Sequence, residues 1–411
     1  MIPRRVVVVG ASLAGGTAVA ALREDGFDGE VMLIGEEPHS PYERPPLSKE
    51  YLRGEQPFEE GLVRPEGWYE EQSIETRFGV RAERVDPGER AVILQGGERV
   101  PYDGLLLATG GRPRTLPGPP TDRVLHLRAI EDADRIRSHL QPGGRLVIVG
   151  AGFIGAEVAA SARMLGLEVT VLDRHEAPLV RVIGPELGRL YAEIHRERGV
   201  DLRPGEGVEK LEETADGVVV RTTTGAVIEG DVVVVGIGIQ PSTELAETAG
   251  ARVDNGIVVD EHCRTSVEGI FAAGDVANHH HPIFGRRIRV EHYDNAIKQG
   301  AAAARNVLGR GEVFDDPPWF WSDQYEYNLQ YAGFAHEWDE IVVRGSVEDR
   351  DFVAFYLKDG VILAALGLNR GGDVRRAMKL IRMRVSPDPI RLKDQGDDLR
   401  ALEGGPMALR S

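Results

Sequence analysis

Two stretches of this chain carry residues whose types and spacing could do chemistry. In Arg145 to Glu157, RLVIVGAGFIGAE, four apolar residues run into Gly150, Gly152 and Gly155 at G-x-G-x-x-G spacing, and an alanine-rich helical pattern follows. In a dinucleotide site each glycine has its own task. One makes the strand-to-helix turn, one lets backbone approach a pyrophosphate, and one lets helix pack on strand. Phosphates then sit on the unpaired amides of the helix N-terminus, where the dipole favours negative charge.

The first residues carry a second, imperfect copy. Arg5 to Val9 read as a buried parallel strand, followed by Gly10, Ser12 and Gly15, with serine in the middle position. Each copy closes on an acid where a ribose hydroxyl belongs: Glu36 after a strand at 30–34, and Asp173 after a strand at 168–172. A charged hydrogen bond of that kind is worth roughly 1.5–3 kcal/mol. A 2′-phosphate there would meet a like charge, so the second copy favours NADH over NADPH.

The elements that must position these residues follow from the pattern around them. A helix runs to about Asp25. SPYERPPLSKEY (Ser40 to Tyr51) holds two adjacent prolines, which predicts a stiff extended segment over 42–46 leading into a helix. It presents Arg44 and Lys49 in a fixed direction, although composition alone reads as a loop with surface charges. Gly79 to Tyr102 alternates as a small antiparallel excursion. LLLATGGRPR is a buried strand closing on a turn with Thr109 and Gly110. Helices are expected at 130–140, 185–198 and 295–308. TSVEGIFAAGDVA reads as a strand with Gly274 and Asp275 at its C-terminal end, where ligands bind in open parallel sheets. From Trp319 the pattern changes to alternating strands (340–346, 351–357, 361–367) and a basic amphipathic helix, 373–384. Residues beyond Ile390 are expected to be frayed or loosely docked.

The bulk numbers exclude several classes. A chain of 411 residues should hold two or three domains. Its net charge of −17 argues against nucleic acid or an anionic membrane as a general partner. The single cysteine, Cys263, excludes an intrachain disulfide framework, a redox dithiol and a four-cysteine metal or iron–sulfur site, and it is compatible with a reducing cytoplasm. The first twenty-odd residues superficially resemble a signal peptide, but strand, glycine turn, helix and acid arrive in nucleotide-fold order. No run of eighteen apolar residues predicts a spanning helix.

Together the two fingerprints, the ATG turn and TSVEGIFAAGDVA resemble the two-dinucleotide-domain flavoprotein reductases. PYERPPLSKEYL and WFWSDQ narrow the resemblance to the oxygenase-coupled NADH–ferredoxin reductases, the putidaredoxin reductase-like group, over residues 4 to 385. It implies an α/β chain with two Rossmann-like dinucleotide-binding domains and a C-terminal α+β domain. Their expected bounds are 1–111 with 241–317 for FAD, 112–240 for NAD and 318–411 for the last.

By the same resemblance Gly10, Ser12 and Gly15 line the FAD pyrophosphate and Glu36 its adenosine ribose. Arg44, Thr109, Gly110 and Asp275 contact the cofactor, and Lys49 lies close to flavin N5. Gly150, Gly152, Gly155 and Asp173 take NADH, and Glu157 faces Lys49 beside the hydride path. Trp321 and Gln324 approach the isoalloxazine from the other side. Tyr293 stands where the family commonly has a tryptophan, and Ser12 where it has glycine.

The expected reaction passes hydride from NADH to FAD and then single electrons to an external 2Fe–2S ferredoxin. That ferredoxin would serve a haem monooxygenase or a ring-hydroxylating dioxygenase. A rubredoxin reductase, an NADH oxidase and an NADH-sensing flavoprotein stay open as alternatives. Candidates for docking an acidic ferredoxin are Arg286, Arg287, Arg289, Arg305, Arg310, Arg375, Arg376, Lys379 and Arg382. The run His279–His280–His281 is expected in a loop beside the flavin, without a metal.

Overall fold

Runs of β-branched residues, buried on both faces, form the centres of two parallel sheets. In the computed structural model, which describes residues 3–117 and 121–402, the strand Arg5–Val9 lies between Glu30–Gly35 and Gly104–Leu107. Ile74–Phe78 and Ile270–Ala272 form the edges. The second sheet repeats the plan: Arg145–Val149 sits between Glu168–Asp173 and Val232–Val235, with Asp201–Pro204 and Val124–His126 outermost. Even the register corresponds, since Arg5 pairs with Glu30 as Arg145 pairs with Glu168. The strand Ile270–Ala272 reaches the first sheet from beyond the second, so the first nucleotide fold is assembled from two separated stretches of chain.

Small residues let the helices close on these sheets. Leu13–Glu24 packs against Tyr293–Val307 so tightly that a Cβ on Gly300 would stand 2.5 Å from the Ala14 carbonyl oxygen. After Trp319 the chain makes a five-stranded antiparallel sheet in the order 319–324, 327–333, 361–368, 351–358, 340–346. The helix Gly371–Arg382 covers one face, and the other packs on the helix Val180–Glu197 of the second nucleotide fold.

Several expectations need correction. Pro45 and Pro46 open a 3-10 turn, Pro45–Ser48, instead of extending the chain, because the first helical positions need no backbone N–H. The helix expected at 185–198 begins at Val180 and bends at Gly184 (φ 80°), where the Trp338 ring fills the space a side chain would need. The strand expected through Ala277 stops at Ala272, and Gly274–Val276 forms a 3-10 turn.

The histidine run is not a loop. It lies in the strand Ala277–His281, whose alternation turns His279 and His281 to one buried face against Phe314 and Phe284. The tail is docked as far as it is described. Leu392, Leu399 and Leu402 are buried, and Arg344 donates to the carbonyl oxygens of Leu392, Asp394, Gln395 and Asp397. The rest of that tail, 403–411, lies outside the described residues. Among the described residues no helix is long and apolar enough to cross a membrane, and no group of three metal-ligating side chains occurs.

Candidate functional site

The first glycine turn is built by close backbone packing. Gly10 has φ +114°, and a Cβ there would lie 2.1 Å from the Ala108 carbonyl oxygen; one on Gly15 would lie 1.9 Å from the Gly10 carbonyl oxygen. Ser12 stands before the first turn of the helix Leu13–Glu24, and its Oγ accepts from Arg44 Nε at 3.2 Å. Arg44 also donates to Glu37 Oε1 at 2.5 Å, to the Tyr42 hydroxyl at 3.3 Å and to the Arg128 carbonyl oxygen. Burial works against its charge, but Glu37 and Tyr42 outweigh that and raise its pKa. Burial likewise opposes the Glu37 carboxylate, yet Arg44 and Tyr42 hold it below its ordinary value.

A second guanidinium joins this cluster. Arg128 Nη2 donates to Asp275 Oδ2 at 2.9 Å and lies 3.2 Å from where a Cβ on Gly110 would be. Its Nε is buried without a hydrogen-bond partner. Two guanidiniums, one with an unused donor, converge above a helix N-terminus, a donor set that fits the pyrophosphate of a dinucleotide. Thr109 Oγ1 donates to the Ser242 carbonyl oxygen at 2.7 Å. Glu36 is exposed, with Arg81 3.9 Å away as its nearest cation. Glu37, Tyr42 and Arg128 were not found by sequence reasoning: Arg44 and Arg128 are 84 residues apart and no local motif joins them.

The second turn has the same frame. Gly150 has φ +104°, and a Cβ on Gly155 would meet the Gly150 carbonyl oxygen at 2.0 Å. Gly152 differs, for a Cβ there meets nothing nearer than the Gly236 carbonyl oxygen at 4.0 Å. Asp173 accepts from the Ala151 N–H at 2.6 Å and the His175 N–H at 2.7 Å. A carboxylate has about four lone-pair sites, so Asp173 keeps capacity for ribose hydroxyls.

Between the folds lies a buried ion pair. Lys49 Nζ is 3.1 Å from Glu157 Oε2, and the two residues are only 5% and 4% exposed. Lys49 follows the proline-led turn, and Glu157 lies in the first turns of Phe153–Met164. The Ser48 hydroxyl donates to Glu157 Oε2 at 2.5 Å and the Ser322 hydroxyl to Oε1 at 2.7 Å. One carboxylate therefore joins both nucleotide folds and the C-terminal sheet. Removing one partner of such a buried pair costs about 3–5 kcal/mol, because the other charge is left unpaired.

Trp321 and Gln324 do not share a face of their strand. Three positions apart on the strand Trp319–Gln324, they point to opposite faces. Trp321 stacks on Trp319 and meets the Tyr293 ring edge-on at 5.4 Å, and the Tyr293 hydroxyl donates to Glu43 Oε1 at 2.5 Å. Gln324 is buried with Ser322 on the Glu157 side. Ser48 and Ser322 were also missed, although the period of two places Ser322 on the same face as Gln324.

Most of the basic docking candidates already have partners. Arg305 pairs with Asp25 and Glu312, Arg382 with Asp315 and Asp316, Arg376 with Asp373, and Arg289 with Glu291. Arg287 donates to the Val259 and Asn278 carbonyl oxygens.

This two-fold, three-part frame matches known proteins over nearly its whole length. Residues 4–300 match the pyridine nucleotide-disulphide oxidoreductase family and residues 319–403 the reductase C-terminal family. The chain belongs to the pyridine nucleotide-disulphide oxidoreductases. Within that family it is 40% identical to the ferredoxin–NAD(+) reductase component of the anthranilate 1,2-dioxygenase system of Burkholderia cepacia, covering 94% of this chain and 96% of that one. It is 38% identical to putidaredoxin reductase of Pseudomonas putida, covering 97% and 96%. The reductase in the crystal structure of the covalent putidaredoxin reductase–putidaredoxin complex superposes with a TM-score of 0.94 at 38% identity, covering 97% of this chain and 98% of that one. The chain is thus an oxidoreductase of the ferredoxin–NAD(+) reductase type, using FAD and NADH.

Proposed function

We propose that this protein takes hydride from NADH and delivers single electrons to a 2Fe–2S ferredoxin serving an oxygenase, either a haem monooxygenase or a ring-hydroxylating dioxygenase. The observation that carries this reading is the buried Lys49–Glu157 pair at the meeting of all three regions, in a chain whose one cysteine, Cys263, is fully buried elsewhere. Burial pushes the Cys263 thiol well above its ordinary value, which removes it as a thiol relay. FAD, when bound, supplies the conversion of a two-electron donor into one-electron deliveries.

The chain's own residues supply binding and orientation. Gly10, Ser12, Gly15, Thr109 and Gly110 line the FAD site, Arg44 and Arg128 offer charge to its pyrophosphate, and Asp275 holds the ribityl region. Glu36 is free to accept from the adenosine ribose. Gly150, Gly152 and Gly155 take the NADH phosphates and Asp173 its ribose hydroxyls. Lys49 and Glu157 fix the reacting faces where hydride crosses, and Tyr293 and Trp321 bound the flavin with aromatic surface. We take the FAD unit as 1–111 with 241–317, the NAD unit as 112–240 and the C-terminal unit as 318–411. The cytoplasm, which keeps thiols reduced, is the compartment assigned.

Anaerobic stopped-flow reduction by NADH, followed by mixing with a 2Fe–2S ferredoxin, tests the reading. Reoxidation within the time of one turnover is expected. Faster reoxidation by rubredoxin or by oxygen would replace it with a rubredoxin reductase or an oxidase. A long-lived reduced complex that no acceptor drains would replace it with a sensor.

A further inference from the structure

The Glu157 carboxylate is the end of a longer buried chain. Ser322 Oγ donates to Glu157 Oε1, and it accepts from Gln324 Nε2 at 3.0 Å. Gln324 Oε1 in turn lies 2.9 Å from His195 Nε2, and the Tyr325 hydroxyl lies 3.2 Å from His195 Nδ1. Chemistry fixes the direction of every link. The amide nitrogen of Gln324 is spent as a donor to Ser322, so its oxygen must accept, and His195 must carry its proton on Nε2. Nδ1 is then the acceptor for the Tyr325 hydroxyl. Ser322, Gln324 and His195 are each 2% exposed or less, and burial lowers the His195 pKa to about 4, so the imidazole is neutral at pH 7. The outer end lies under Arg198, whose guanidinium sits 5.2 Å from the centre of the Tyr325 ring.

No hydrogen bond in this chain is needed to satisfy a helix or sheet backbone. Its members come from the second nucleotide fold (Glu157, His195), the C-terminal sheet (Ser322, Gln324) and the turn that follows its first strand (Tyr325), and all donors point toward the carboxylate. We infer that His195, acting through Gln324 and Ser322, is a positioning residue that holds the Glu157 carboxylate in register with Lys49 for hydride transfer. The inference rests on the reading of Glu157 given above.

The holoenzyme carrying His195→Phe, His195→Gln, the double change His195→Phe/Gln324→Leu, or Glu157→Gln separates the possibilities. His195→Phe leaves the Gln324 oxygen buried and unpaired, so it lowers the thermal midpoint. The double variant removes both partners and restores the midpoint. Both should slow flavin reduction at saturating NADH by about tenfold, within the roughly hundredfold that a 1 Å misplacement can cost, with NADH affinity held within about twofold. His195→Gln, whose Nε2 can donate from nearly the same place, should recover the rate.

A second readout needs no turnover. The imidazole 15N spectrum should give the Nε2–H tautomer for His195 and should shift in Glu157→Gln. A double variant that is stable and reduces at the parent rate, while Glu157→Gln is slow, overturns the inference and leaves the role of Glu157 standing. The Nδ1–H tautomer overturns it equally. Parent rates in both Glu157→Gln and the double variant overturn the inference together with the reading of Glu157.

Discussion

The glycine turns of the two nucleotide folds are near copies in backbone and differ at the middle position. In both, the first glycine has a left-handed φ and the third would drive a Cβ to within about 2 Å of the first glycine's carbonyl oxygen. The middle position is Ser12 in one and Gly152 in the other. Gly152 has open space around it, while Ser12 offers its hydroxyl to Arg44. The outer glycines of such a turn therefore belong to the fold, and the middle one belongs to the ligand. Where a guanidinium comes down to meet the phosphates, as Arg44 does beside Ser12, a small side chain is accommodated.

The largest expected effect comes from the outer glycines. Gly15→Ala and Gly155→Ala should each lose about 3 kcal/mol or more, or fail to fold, since the clash is with backbone that cannot turn away. Gly152→Ala should unfold thermally like the parent and show its change only as weaker NADH binding. Equal midpoints for Gly152→Ala and Gly155→Ala would break the comparison.

Acid is next. Each fold has a histidine whose pKa burial lowers to about 4: His195, fully buried on the helix of the second, and His292, half-buried at the head of the helix Tyr293–Val307 on the first. Between pH 6.5 and 4 the unfolded chain binds protons that the folded chain refuses, so stability falls as pH falls. Each histidine contributes about 1.4 kcal/mol per pH unit in that window. Urea unfolding at pH 7 and pH 5 measures the slope, and replacing either histidine by Phe should remove its share.

Asp173→Ala should weaken NADH by roughly tenfold to a hundredfold, matching a charged hydrogen bond of 1.5–3 kcal/mol, while NADPH loses less. Steady-state KM for the two coenzymes checks it. If both weaken equally, Asp173 supports only the turn, through Ala151 and His175. Smallest of all, Ser12→Gly should change stability by less than about 0.5 kcal/mol, because the folded frame does not depend on that hydroxyl. A large loss of FAD would show that the hydroxyl orients Arg44.

What could be read from the sequence and what could not divide along a physical line. Strand, turn and helix of both nucleotide folds are local, and glycine spacing with β-branched runs announces them. The meeting of Lys49 and Glu157 was expected only from a family pattern, since spacing cannot pair residues 108 positions apart. The network of Glu37, Tyr42, Arg44 and Arg128 was illegible for the same reason. Trp321 and Gln324 show the opposite case: three residues apart on a strand, they cannot share a face, and the period of two already says so. The docked tail was hidden because Arg344, inside another strand, supplies the donors that hold it.

The insertion of one nucleotide fold within the other sets a timetable. The first sheet begins with Arg5–Val9 and lacks its edge strand until Ile270–Ala272 has left the ribosome. At 5–20 residues per second, the stretch of about 160 residues between Leu107 and Ile270 takes roughly ten to thirty seconds to make. During that interval the guest fold, complete by Val235, has all its strands while its host waits with an unpaired edge at Gly104–Leu107. On the nascent chain the inner fold can mature before the outer one closes.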